Sequence, residues 1–168
     1  MFRTSPLLVV LFASTALAQS SQLAQPDAGA QPSREGPTRI DDAAAAEKLL
    51  GDHVFNLQWI DHPPGVAHIT KKGDGELFID AGQRNKKGEY ASVAGKILRV
   101  TAKSFELDGT IVTRADAING GKACERNGRF TFRVTGKRKY WRLQQMNDCE
   151  GNHVVDYVDV FFARPEAK

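Results

Sequence analysis

Apolar and polar residues alternate along most of the chain from His53 onward, and this period of two constrains the fold more than any other feature. Within residues 104–112, Phe105, Leu107 and Ile111 are separated by polar side chains. Such alternation buries one face of a β-strand and leaves the other face polar. Similar runs, bounded by turns rich in Gly, Pro and Asn, recur as far as residue 162. The sequence therefore predicts an all-β domain.

The spacing of these runs predicts a small antiparallel barrel. The predicted strands cover residues 53–59, 66–71, 76–81, 90–100, 104–112, 129–135, 140–146 and 153–162. About eight short strands with short turns form a meander, and closing it into an eight-stranded barrel removes the exposed edges. A barrel-like sandwich is the alternative. Asn127 and Gly128 predict a tight turn, and Gly95 predicts a bulge.

A short N-terminal helix precedes the first predicted strand. Asp41 or Asp42 can cap it, and residues 43–50 are rich in helix-forming residues. Because so short a helix is not stable alone, we expect Leu49 and Leu50 to dock it on the barrel.

The first residues have the three parts of a secretory signal peptide. A positive start at Arg3 is followed by an apolar run over residues 6–13 and by a small-residue cleavage site that ends at Ala18. We therefore expect an exported protein, periplasmic or secreted, cleaved after Ala18. The predicted organisation is a signal peptide at 1–18, a disordered leader at 19–40, a single β domain with its N-terminal helix at 41–163, and a tail at 164–168.

Two cysteines, Cys124 and Cys149, are present. An even pair in an exported chain predicts a disulfide, which should stabilise the fold by about 3 kcal/mol. Their wide spacing differs from that of a C-x-x-C redox pair.

Two C-terminal segments carry a resemblance to known proteins. They are G-K-R-K-Y-W-R-L-Q-Q-M at residues 136–146, followed by Cys149, and D-Y-V-D-V-F-F at residues 156–162. Together with residues 118–124, they resemble a group of small exported bacterial proteins without an assigned function. The overall pattern is also similar to lipocalin-like barrels. The resemblance implies a bacterial source and an envelope location, and it implies no activity.

The densest charged segment is basic and covers residues 126–142. Its candidate contacts for an anionic ligand or an acidic protein partner are Arg133, Lys137, Arg138, Lys139 and Arg142. Arginine favours this interpretation because its planar fork binds carboxylate or phosphate through two hydrogen bonds. The alternative is the solvated face of a hairpin. In that case Arg142 would lie beside Asp156 on the paired strand and neutralise it.

Three aromatic residues are candidates to line a ligand site in the barrel mouth: Trp59, Trp141 and Phe132. Core packing is the alternative for each of them, because an eight-stranded barrel is either filled by its own side chains or holds one small ligand.

The remaining patterns exclude several functional classes. The net charge of +3 is too small to indicate nucleic-acid binding. The histidines lack metal-ligand spacing and are expected at the surface, and no nucleophile motif is present. We therefore predict a monomeric, non-enzymatic binding protein without a cofactor, a metal or a transmembrane segment. Its ligand is a small apolar or amphipathic molecule. The alternative is an envelope protein-interaction or inhibitor module that uses the basic hairpin.

Overall fold

The computed structural model describes residues 35–162, and within that range it does not describe the side chains of residues 152–154. The predicted signal peptide, residues 19–34 of the predicted leader, and the predicted tail lie outside the described residues.

The described chain forms a closed eight-stranded antiparallel barrel with a short helix at one end, which confirms the predicted fold class. The elements are β1 (Arg39–Ile40), α1 (Ala43–Leu49), β2 (Gly51–Leu57), β3 (Gly65–Lys72), β4 (Glu76–Arg84), β5 (Tyr90–Val100), β6 (Ser104–Arg114), a 3-10 turn (Asn119–Gly121), β7 (Cys124–Arg133), β8 (Tyr140–Leu143), β9 (Asn147–Asp148), β10 (Gly151–Val155) and β11 (Val158–Phe161). Strands β2 to β8 follow one another around the barrel, and β11 closes it between β8 and β2.

Large side chains fill the barrel. Phe55, Phe105 and Phe132 are fully buried, and they belong to one continuous core that includes inward residues of all eight strands. The inward positions that alternation predicts in β6, β7 and β8 are confirmed, since Leu107, Phe130 and Leu143, for example, are buried. A barrel of this size is just wide enough for its interior to be filled in this way.

Strands β5 and β6 approach each other closely at a pair of glycines. Gly95 lies opposite Gly109, and a Cβ atom on Gly109 would lie 2.2 Å from the carbonyl oxygen of Ala94. Gly109 in turn faces Gly128 on β7, so the predicted turn at Asn127 and Gly128 is wrong. Gly128 has a φ of 140° inside a paired strand, so glycine serves there to adopt this backbone conformation rather than to reverse the chain.

Two further strand predictions need correction. The irregularity in β5 lies between Ile97 and Arg99 and not at Gly95, which pairs in register with Gly109. The predicted last strand, 153–162, is two strands. Strand β10 pairs with β9 outside the barrel, and the chain re-enters the barrel at Val158 after the buried Asp156.

The helix is capped and docked as predicted. The side chain of Asp42 accepts a hydrogen bond from the Ala45 amide at 2.8 Å, and Leu49 is buried. The last residues of the predicted leader, however, belong to the folded body: β1 pairs in parallel with β5, and Thr38 is buried. The Thr38 hydroxyl donates to the carbonyl of Ile97 at 2.6 Å and accepts from the amide of Leu77 at 2.8 Å.

Replacing Thr38 with valine is expected to lower the free energy of unfolding by about 2 kcal/mol, because valine keeps the shape but leaves two buried backbone groups without partners. Urea denaturation followed by circular dichroism measures the change. Thr70, an exposed threonine on β3, provides the matched Thr70→Val control. Equal urea midpoints for the two variants would contradict the role assigned to Thr38.

Candidate functional site

The two tryptophans lie at opposite ends of the barrel. Trp141 packs edge-on against Phe105, near the start of β6, with ring centroids 6.0 Å apart. Trp59 lines a cavity together with Thr113, near the end of the same strand. Phe105 and Thr113 are separated by roughly 26 Å of extended strand. The two tryptophans therefore cannot line one ligand site, and each end has to be considered separately.

At the helix end, Trp141 and Phe132 are core residues. Phe132 stacks on Phe105 at 4.8 Å, and Trp141 is 4% exposed. The edge of Trp141 also meets His53, whose ring nitrogens lie 2.8 Å from the carbonyl oxygens of Phe161 and Leu49.

His53 is fully buried, so the expectation that the histidines lie at the surface is wrong for this residue. Its ring joins the end of α1 to the end of β11 through those two carbonyl oxygens.

A groove of about 270 Å³ lies between α1 and the barrel rim at this end. Its floor is aromatic and aliphatic, and its wall is one side of the helix. The lining residues are Asp42, Ala44, Ala45, Lys48, Ala102, Val134, Trp141 and Phe162. Phe162 and Trp141 meet edge to face with centroids 4.5 Å apart, so the two rings form a continuous apolar surface. From the sequence, Trp141 was selected as a candidate for this kind of contact, whereas Phe162 was only one of several aromatic residues able to line a cavity.

Among the described residues that line this groove, Lys48 is the only one with a positively charged side chain. Its Nζ lies 3.1 Å from the centroid of the Phe162 ring and 5.7 Å from that of Trp141. Burial, with a smaller contribution from the charge of Lys139, lowers the pKa of the Lys48 ammonium. No carboxylate pairs with Lys48 within residues 35–162.

The five basic residues proposed from the sequence separate into two groups. Lys137, Arg138 and Lys139 are exposed in the connection between β7 and β8, and Arg133 is exposed at the end of β7. Arg142 is instead neutralised: its guanidinium donates to both Asp159 carboxylate oxygens at 2.7 Å and lies 4.0 Å from the centroid of the Tyr157 ring and 5.0 Å from that of Tyr140. The pairing of Arg142 with Asp156 predicted from the sequence is therefore wrong, because β11 places Asp159, not Asp156, opposite Arg142.

At the other end, Trp59 is 39% exposed and covers a cavity of about 10 Å³, the space of a single water molecule. Asp156 lines this cavity and is 1% exposed. Its Oδ2 accepts hydrogen bonds from Arg126 and Thr113, each at 3.1 Å. Its Oδ1 has no partner among the described residues.

Arg126 and Asp156 form a buried ion pair that ties β7 to the segment before β11. Arg126 also donates to the carbonyl oxygens of Gln145 and Asn147. Burial raises the pKa of the Asp156 carboxyl, and the positive charge of Arg126 opposes that shift. The sequence placed Asp156 beside Arg142 and did not identify Arg126 as its partner.

The predicted disulfide is confirmed and lies at this same end. Cys124, the first residue of β7, is bonded to Cys149 in the turn between β9 and β10, with Cα atoms 5.5 Å apart. Cys124 also lines the cavity below Trp59. The bond therefore fastens the β9–β10 hairpin to the barrel wall.

The described region, residues 35–162, holds neither a metal cluster nor a membrane-spanning helix. No cluster of three or more His, Cys, Asp or Glu side chains within it is arranged to hold a metal. None of its helices is long and apolar enough to cross a bilayer.

Comparison with known proteins relates this chain to a bacterial family. Residues 37–162 match the PM1083 family. The chain belongs to this family. The uncharacterized protein PM1083 of Pasteurella multocida (strain Pm70) is 44% identical over 116 residues, which are 68% of this chain and 74% of that relative. No solved structure matches.

Family membership confirms the predicted relationship to small uncharacterised bacterial proteins. The similarity to lipocalin-like barrels stays a prediction. The matched region begins at Pro37, next to Thr38, and ends at Phe162, so it includes β1, the helix and the groove.

Proposed function

We propose that the protein is a non-enzymatic binding protein of the cell envelope that takes a small amphipathic ligand in the groove between α1 and the barrel rim. The observation that carries this proposal is the apolar floor of the groove, in which the half-buried Phe162 ring packs on the largely buried Trp141 and carries the Lys48 cation above it. Because large side chains fill the barrel, the groove is a better candidate than the interior. Ligand sites typically combine an apolar lining with a few placed polar groups.

The envelope location is supported by two features. The Cys124–Cys149 disulfide is typical of proteins that work in an oxidising compartment. The predicted signal peptide at residues 1–18 would direct the chain to such a compartment. We propose a non-enzymatic role because neither the sequence nor the geometry of the groove pairs a nucleophile with a general base.

Native mass spectrometry of protein purified from the envelope of its own host tests this function. We expect a reproducible small adduct that denaturation releases. The Ala44→Trp variant fills the groove from the exposed side of α1 and should lose the adduct. The matched control is Ala43→Trp, since Ala43 is also exposed but lines the opposite side of the helix. A bare mass for the wild type, or an adduct that survives in Ala44→Trp, would contradict the proposal.

The alternative is an interaction or inhibitor module that uses the basic hairpin. It is favoured by the exposure of Lys137, Arg138 and Lys139 at the β7–β8 connection. The alternative is less well supported by Arg126 and Arg142, because both already pair with buried carboxylates and are not available to a protein partner. Capture of an acidic envelope protein that is lost in a Lys137→Glu/Lys139→Glu variant would support it.

A further inference from the structure

Two charged residues, Asp42 and Lys48, line the groove, and they lie at opposite ends of α1. Asp42 lines the groove at the first turn of α1, where one of its carboxylate oxygens accepts a hydrogen bond from the Ala45 amide. Lys48 lies at the opposite end of the helix, one turn or more away, with its ammonium over the Phe162 ring. Lys139 adds positive charge nearby, since its backbone carbonyl accepts a hydrogen bond from the Phe162 amide at 2.8 Å. The floor of the groove is therefore apolar and its Lys48 end is cationic.

We propose that the groove selects ligands with a single anionic head group, a carboxylate or a phosphate monoester, which binds the Lys48 ammonium while the apolar tail lies on Trp141 and Phe162. This inference rests on the proposed function and names the chemical class of its ligand.

The Lys48 ammonium is positioned by the two aromatic rings beneath it. The faces of Phe162 and Trp141 attract the cation, and the C-terminal turn of α1 favours positive charge there. A lysine held in this way loses less side-chain freedom on binding an anion than a freely moving one.

The electrostatic balance also favours an anion. Partial burial and the charge of Lys139 both disfavour the charged form of Lys48, and no described carboxylate offsets them. An anionic head group beside Lys48 would relieve that repulsion. A cationic head group would add to it.

Isothermal titration calorimetry of the full-length protein with four ten-carbon probes tests the selection. The probes are decanoate, monodecyl phosphate, decan-1-ol and decylammonium, each used below the concentration at which it aggregates. We expect at least one of the two anions to bind about tenfold more tightly than decan-1-ol, as a charge-assisted hydrogen bond implies. Decylammonium should bind more weakly than the alcohol. Comparison of the two anions identifies which head group the site prefers.

The Lys48→Met variant keeps an apolar stem on Phe162 and removes the charge. It should abolish the tenfold preference while leaving decan-1-ol binding unchanged. The matched control is Lys71→Met, because Lys71 lines a separate groove, of about 260 Å³, on the other side of α1. This variant should keep the wild-type preference.

The two proposals fail in different ways. If decan-1-ol or decylammonium binds as tightly as both anions, and Ala44→Trp blocks them all, the inference is overturned while the proposed function stands. If an anionic preference persists in Lys48→Met, Lys48 is not the selecting group and the inference is overturned. If no probe binds, or if Ala44→Trp binds them as the wild type does, both proposals are overturned.

Discussion

Replacement of Asp156 by alanine is expected to lower the free energy of unfolding by about 3 to 5 kcal/mol. Asp156 is 1% exposed, and its carboxylate is the acidic partner of the buried Arg126. Removing it leaves a guanidinium that has lost its counter-charge in a site shielded from water. The two backbone carbonyls that also accept from Arg126 do not neutralise it.

Urea denaturation of the purified variant measures this loss. The matched control is Asp80→Ala, an exposed aspartate on β4, which should change the free energy of unfolding by about 0.5 kcal/mol or less. In the double variant Arg126→Met/Asp156→Leu, apolar side chains replace both charges, so most of the lost stability should return. A single Asp156→Ala variant as stable as the Asp80→Ala control would contradict the structural role of this ion pair.

Loss of the Cys124–Cys149 bond is expected to lower the free energy of unfolding by about 3 kcal/mol. For a body of this size that change corresponds to a decrease of roughly 10 °C in the melting temperature. The physical reason is that the bond closes a loop of 25 residues and so restricts the unfolded chain. Calorimetric melting with and without reductant measures the effect.

The Cys124→Ala/Cys149→Ala variant is the control for this experiment. It should melt near the temperature of the reduced wild type and should not respond to reductant. If thiol titration shows two free thiols in the reduced wild type while its melting temperature is unchanged, the stabilising role of the bond is refuted.

Alternation was sufficient to predict the barrel because a strand of a filled barrel has one inward face and one outward face. Phe105, Leu107 and Ile111 repeat at every second or fourth position, and all three are buried. The Asn127–Gly128 turn prediction failed because the glycine signal is local. The sequence cannot show that Gly128 lies opposite Gly109 within a paired strand, where its φ of 140° favours glycine without any reversal of the chain.

The candidate site was less predictable for a related reason. The groove combines α1, the β5–β6 turn, the end of β7 and Phe162, and its shape depends on how the helix docks. Trp141 could be chosen from its residue type, whereas Lys48 acquires its role only from its position over Phe162. In the same way, the partners of Arg126 and Arg142 follow from where β11 enters the barrel, and for this reason the sequence assigned Asp156 instead of Asp159 to Arg142.

Because the last strand, β11, closes the barrel, the folding of this protein depends on the order in which its strands are synthesised. Phe55 on β2 pairs with Val160 on β11, so the first barrel strand to leave the ribosome has its final neighbour at the very end of the described chain. Until then β2 and β8 are open edges, which are templates for association with other chains. The barrel cannot close until residue 161 has left the ribosome, and until then the open edges of the growing chain have to be kept from pairing with other chains.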